Sequence, residues 1–112
     1  MTLHKKQAHF TTMFVQLILH ACALGLTPVI GEVARTLEQQ RLYVKQGKSQ
    51  TLDSKHVQRL AGDLLVFRGE TYLTRSEDYE PLGVYWESLD SANVWGGRWL
   101  TLKDGNHFEY GG

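Results

Sequence analysis

Cysteine is all but missing from this chain: Cys22 stands alone among 112 residues. One cysteine excludes an internal disulfide framework and any cysteine-rich zinc module. An excess of charge of one sign is missing too. Twelve Lys and Arg balance twelve Asp and Glu, so the formal net charge is zero. Proteins that live on nucleic-acid phosphates carry a basic excess, so that class is set aside. No apolar run is long and clean enough to cross a bilayer, which takes about 20 residues. The best one, Met13 to Leu26, is broken by Gln16 and His20. Repeats and low-complexity tracts are absent as well. What is present is a composition 42% hydrophobic and 11% aromatic. That is too apolar for a disordered chain and sufficient for one modest core. The chain therefore reads as a single domain over 1–112, monomeric by default. Five histidines remain, so any metal site must be built from His and carboxylate.

The N-terminus imitates a secretory leader. Lys5 and Lys6 precede the apolar run, and Ala21-Cys22-Ala23 resembles a cleavage site. The spacing argues otherwise. Phe10, Phe14, Leu17, Ile18, Ala21 and Leu24 recur at intervals of three and four, the stripe of an amphipathic core helix. Gly25 then reads as its C-cap, and Cys22 as a buried free thiol.

Thr27 to Val33 is β-branched and punctuated by Pro28 and Gly31, which suggests a strand entering a sheet. Thr36 reads as an N-cap with Gln39 as its capping-box partner, opening a helix from Leu37 to about Gln46 that stops at Gly47. Residues 48–54 are polar and aperiodic, a loop leading to His56. Leu60 to Phe67 reads as a strand buried on both faces and carrying one charge, Asp63. Arg68-Gly69-Glu70 is its hairpin turn and Thr71-Tyr72-Leu73 the return strand. Thr74 or Ser76 reads as the cap of a third helix, with Glu77 and Asp78 in the first turn. Leu82, Tyr85, Trp86 and Leu89 mark that helix's apolar face. Residues 90–93 read as a loop, 103–106 as a turn, and His107 to Tyr110 as a last strand. This order predicts an α+β fold, a small antiparallel sheet flanked by helices.

Asp63 is the residue that needs a reason. A buried carboxylate costs several kcal/mol, on the order of the usual burial penalties, unless it is paired or bound to a metal. Arg59 or Arg98 could pair with it. His56 lies seven residues earlier, and His107 opens another strand. Two histidines and one carboxylate are a common zinc set in hydrolases, and three ligands leave a fourth position for water. Asp104, three residues before His107, can sit beside such a metal without ligating it; ordinary turn chemistry is the alternative. Trp95 and Trp99 flank Gly96-Gly97. Trp95 reads as a substrate-binding cleft wall, because glycines allow close backbone approach, or else as half of a core pair. Glu109, like Glu32, either orients a histidine or faces solvent, and solvent is the preferred reading. His4, His9 and His20 carry no role.

The motifs Ser54-Lys55-His56, Ala61-Gly62-Asp63 and Asp104-Gly105-Asn106-His107 resemble the zinc-dependent D-Ala-D-Ala carboxypeptidase/dipeptidase family. Its pattern is S-x-H-x(6)-D followed by [E/D]-x-x-H. Trp95-Gly96-Gly97-Arg98-Trp99 leading to His107-Phe108-Glu109 resembles its phage endolysin branch, the L-alanyl-D-glutamate peptidases. Gly31 to Thr36 resembles the family's strand ending in an Arg-Thr pair.

The resemblance implies a fold like that of these peptidases and of the hedgehog signalling domain. It implies His56, Asp63 and His107 as ligands of zinc (Zn²⁺), Asp104 as catalytic base, Arg35 as the group that steadies the carbonyl oxygen or holds the substrate, and Ser54 as a substrate contact. It implies a peptidoglycan stem peptide as substrate, cut between L-Ala and D-Glu during host lysis. Synthesis would occur in the host cytoplasm, with access to the wall after membrane permeabilisation. A D-Ala-D-Ala peptidase and a non-catalytic zinc domain are the alternatives. One departure stands out: many members carry Gly midway between the His and the Asp, where this chain has Arg59-Leu60. Altered packing beside the site is expected from it.

Overall fold

The structure, a computed structural model, describes residues 1–51 and 54–112. Leu52 and Asp53, within the loop expected over 48–54, lie outside the described residues. Helix α1 spans Leu3–Ala23 and buries Phe10, Met13, Phe14, Leu17 and Ala21. The apolar run is thus part of the core, as its spacing predicts. The helix ends where Gly25 takes a left-handed φ of 80°, which only glycine adopts freely. Two details of that helix differ from expectation. Leu24 is half-exposed because it lies past the last turn. Cys22 is exposed because it is one step, about 100°, off the stripe through Ala21.

Strand β1 is Thr27–Ile30, shorter than the expected run to Val33. Helix α2 is Leu37–Lys45, capped by Thr36, whose hydroxyl accepts from Gln39 N at 3.1 Å. Strand β2 is Ala61–Arg68, and Gly69 turns it into β3, Thr71–Tyr72. The third helix, α3, is Glu80–Leu89. Neither Thr74 nor Ser76 caps it. Ser76–Tyr79 forms a 3₁₀ turn instead, Pro81 sits in the first turn of α3, and Ser76 Oγ accepts from Gly105 N at 2.9 Å. Asn93, expected in a loop, begins a short strand β4, Asn93–Trp95. The last strand, β5, is His107–Tyr110 as predicted.

Among the described residues these strands form one antiparallel sheet in the order β1-β2-β5-β4, with β3 also pairing β2. Strand β2 is not buried on both faces. Gly62, Leu64 and Val66 are buried, whereas Asp63, Leu65 and Phe67 are half-buried, the period-two alternation of a one-sided sheet. The core face is covered by α1 and α3. Phe10 and Phe14 meet Trp86 edge-on at 5.6 and 6.5 Å, and Trp86 meets Phe108 at 6.1 Å. A Cβ on Gly62 would lie 2.6 Å from the Phe14 ring, so glycine lets α1 approach the strand.

The segment before β2 carries the departure from the family pattern. Arg59 has φ 58°, in the left-handed region that favours glycine. The chain keeps the backbone bend without the residue suited to it. Left-handed φ costs an L-residue about 1–2 kcal/mol. Arg59→Gly is therefore expected to stabilise the fold by about 0.5–1 kcal/mol after the extra unfolded-state entropy of glycine is subtracted. Urea unfolding measures this, and a lower midpoint for the variant would contradict the reading.

Candidate metal centre and cleft

The antiparallel ladder between β2 and β5 sets Asp63 directly opposite His107. Directly opposed residues point to the same face with Cβ atoms about 4.5–5.5 Å apart. That face is the one away from α1 and α3. The bend at Arg59 then returns His56 to the same place. His56 Nε2 lies 3.1 Å from His107 Nδ1 and 3.2 Å from Asp63 Oδ1, and His107 Nδ1 lies 3.4 Å from Asp63 Oδ1. Tetrahedral zinc with bonds of about 2.0–2.1 Å requires donor separations of about 3.3–3.4 Å. The triangle matches that edge length. His56 and His107 are both buried, and the three residues can hold a metal ion. Asp63 pairs with neither Arg59 nor Arg98; Arg98 instead holds Glu87 through two bonds of 2.9 and 3.0 Å.

Unsatisfied polar atoms concentrate here. Arg35 Nε and His56 Nδ1 are buried without a hydrogen-bond partner among the described residues, and Glu32 Oε1 and Asp63 Oδ1 are held only by ion-pair contacts, to Arg35 and to His56 and His107. Native folds leave few such atoms, so a cluster of them calls for a bound group or a reaction. The donor set is two imidazoles and one carboxylate, which suits a divalent transition metal.

Each histidine has a carboxylate behind it. His107 Nε2 contacts Glu109 Oε1 at 2.7 Å, and His56 Nδ1 faces Glu32 Oε1 at 3.9 Å. The solvent-facing reading of Glu109 is thereby corrected. In β5, His107 and Glu109 share one face while Phe108 and Tyr110 enter the core. The same alternation was available in the sequence.

Burial pushes the Asp63 carboxyl up, but the bonds and charges of His107 and His56 outweigh it and hold the group at about 2. Burial pushes His107 down, yet Asp63 and Glu109 hold it at about 9. Asp104 is raised above the usual carboxylate range, first by burial and then by the negative charge of Asp63.

A cleft of about 450 Å³ opens on the triangle and is also lined by Arg35, Ser54, Trp99 and Asp104. Arg35 pairs with Glu32, donates to Gln40 Oε1 at 2.6 Å, and lies 3.4 Å from Ser54 Oγ. Ser54 Oγ also accepts from His56 N at 3.2 Å. Gln40, which sequence reasoning missed, is fully buried. Its amide nitrogen donates to Ser49 Oγ at 2.9 Å and to the Thr51 carbonyl. One of two adjacent glutamines on a short polar helix, Gln40 gives no sequence signal for this.

Trp95 is not brought to the cleft. It is buried in the core, and its indole donates to Gly105 O at 2.8 Å. Trp99 lines the cleft in its place, 4.8 Å from the His107 ring. The glycine pair admits protein, not ligand. A Cβ on Gly96 would lie 2.2 Å from Asp104 O, and one on Gly97 2.1 Å from the Trp95 ring. Glycine thus lets the Asp104 turn seat against residue 96, where Asp104 N donates to Gly96 O at 3.0 Å.

Comparison with known proteins agrees with this geometry. A family model described as D-alanyl-D-alanine carboxypeptidase matches residues 47–110, more than half of the chain. The chain is 33% identical over 89 residues to an L-alanyl-D-glutamate peptidase of Listeria phage A118, covering 77% of this chain and 31% of that protein. It thus spans about a third of that relative's length. The crystal structure of the Serratia marcescens L-Ala D-Glu endopeptidase ChiX matches with a TM-score of 0.65 at 30% identity, over 76% of this chain and 67% of the other.

The shifted groups predict a pH profile for the metal-free protein. The raised His107 stabilises the fold fully below about its ordinary value of 6.5 and loses that contribution as pH rises through about 9. Thermal unfolding from pH 6 to 10 should show the loss. Glu109→Gln, which removes one carboxylate that holds the proton, should shrink it. An identical Tm–pH slope in the variant would contradict the assignment.

Proposed function

The chain belongs to the D-alanyl-D-alanine carboxypeptidase family, and from that premise we propose that it is a zinc-dependent peptidoglycan peptidase of the phage endolysin type, hydrolysing the L-Ala–D-Glu bond of the stem peptide. The observation that carries this reading is the His56–Asp63–His107 triangle, whose edges suit zinc and which opens on a cleft also lined by Asp104. The similarity to a phage L-alanyl-D-glutamate peptidase and a Serratia L-Ala D-Glu endopeptidase supports the choice of bond. In this reading residues 1–112 act as one monomeric catalytic domain.

Bound zinc supplies Lewis acidity and an activated water near neutral pH. The chain's residues supply the rest. Asp104 takes a proton from the attacking water and returns it to the leaving amine. A carboxyl of ordinary pKa, about 3.9, donates poorly at neutral pH, and the upward shift of Asp104 makes it a better donor. Arg35, fixed by Glu32 and Gln40, stabilises the oxygen that becomes negative as the carbonyl is attacked. Ser54 contacts substrate from the same wall. Glu109 orients His107 and Glu32 stands behind His56, which leaves Nδ1 of His107 and Nε2 of His56 as the nitrogens that would hold zinc.

The description of the matching family supports one second reading, hydrolysis of a D-Ala–D-Ala bond. A non-catalytic zinc domain is disfavoured because Asp104 and Arg35 both line the cleft. No helix among the described residues is long and apolar enough to cross a membrane. The proposed route is synthesis in the host cytoplasm and action on the wall once another factor has permeabilised the membrane.

Mass spectrometry of digested peptidoglycan distinguishes the bonds. New N-terminal D-Glu is expected, released D-Ala would move the protein to the second reading, and no product would overturn both. Asp104→Ala should retain zinc while hydrolysis falls about 100-fold or more. A variant that keeps full activity would remove Asp104 as the proton carrier.

A further inference from the structure

A second groove of about 460 Å³ adjoins the metal centre. One wall is residues 48–51 and the other is residues 99–102. Thr101 Oγ1 meets Gln50 Oε1 at 3.2 Å between them. The groove shares Lys48, Ser49, Thr51, Trp99 and Asp104 with the first cleft, so the two are continuous. Arg35, Ser54 and Lys55 line the first cleft and not the second.

We propose that the leaving-group half of the stem peptide lies in this second groove, and that Lys48 binds the free carboxylate of the D-glutamyl residue there. The inference rests on the peptidase reading above. Asp104 stands at the junction of the two clefts. A carboxyl that returns a proton to the leaving nitrogen must lie beside that nitrogen. Arg35 and Ser54 hold the acyl half in the first cleft, so the chain beyond the nitrogen extends the other way. The groove suits a peptide: Trp99, Leu100 and Leu102 offer apolar surface, and Gln50 and Thr101 offer hydrogen-bonding groups.

Charge singles out Lys48. It is the cation that lines the groove among the described residues, and it makes no ion pair there. Its ammonium lies 5.9 Å from the Tyr43 ring. A D-glutamyl residue within a peptide spends one carboxyl on the onward amide and keeps the other free, a few bonds from the scissile nitrogen. Asp104 and Lys48 both line the stretch that the two clefts share.

The test uses two stem-peptide analogues that differ only in the D-glutamyl carboxylate, free in one and amidated in the other. The zinc-loaded protein should prefer the free acid in kcat/KM by about threefold to fivefold, the range of an exposed ion pair. The preference should shrink at high salt. Lys48→Met should bring the ratio to about one, and Lys55→Met should leave it. Equal cleavage of both peptides by the parent protein, or a ratio that survives in Lys48→Met, overturns the proposal. Cleavage of neither peptide overturns the peptidase reading and the subsite with it. A binding readout is independent of turnover. The Leu102 methyl resonances, from a residue that lines the second groove and not the first, should shift with a product peptide that begins with D-Glu. A shift only with the product that ends in L-Ala would place the wrong half in the groove.

Discussion

The register between β2 and β5 is the constraint on which the rest depends. It sets Asp63 opposite His107, Gly62 opposite Phe108 and Ala61 opposite Glu109. A slip of one residue would turn Phe108 to the cleft and His107 to the core, because side chains alternate with period two. Packing on the far face forbids the slip. Phe108 and Tyr110 are buried with Trp86, and the Trp86 indole donates to Glu109 O at 3.0 Å. Gly62 admits Phe14, and Tyr110 N bonds Leu60 O at 2.8 Å. A hydrophobic core on one side of the sheet thus positions the polar triangle on the other.

That triangle is costly for the fold. Two buried imidazoles and a half-buried carboxylate are drawn together with several polar atoms lacking a hydrogen bond. Burying such groups without full pairing opposes stability. The arrangement persists because the surrounding shell over-determines it. Glu109 and Glu32 stand behind the histidines, Gln40 and Glu32 hold Arg35, and the Asp104 turn is tied to Gly96, Ser76 and Trp95. Contacts of this kind are the supports that would keep metal ligands oriented.

How much of this could be read from the chain depends on how local each signal is. The stripe in α1, the Thr36 cap and the β5 segment were readable because each is set by neighbours three, four or two residues apart. The clustering of His56, Asp63 and His107 was readable through motif spacing. What failed was long-range. Trp95 has its role decided by Gly83, whose absent side chain makes room for the indole, and by Gly105 across the fold. Strand β4 is three residues long and gains its identity from pairing with β5. Ser76 looks like a helix cap, yet its hydroxyl is taken by Gly105, a partner 29 residues away. Gln40 and the left-handed Arg59 carry no pattern of their own.

The central claim is that His56, Asp63 and His107 form one metal centre without sulfur. X-ray absorption at the zinc edge, on protein loaded with zinc and dialysed, tests it directly. The account predicts about one zinc per chain, with nitrogen and oxygen donors at about 2.0–2.1 Å, and loss of that signal in Asp63→Ala. Zinc bound through a sulfur at about 2.3 Å, or retained unchanged in Asp63→Ala, would contradict it.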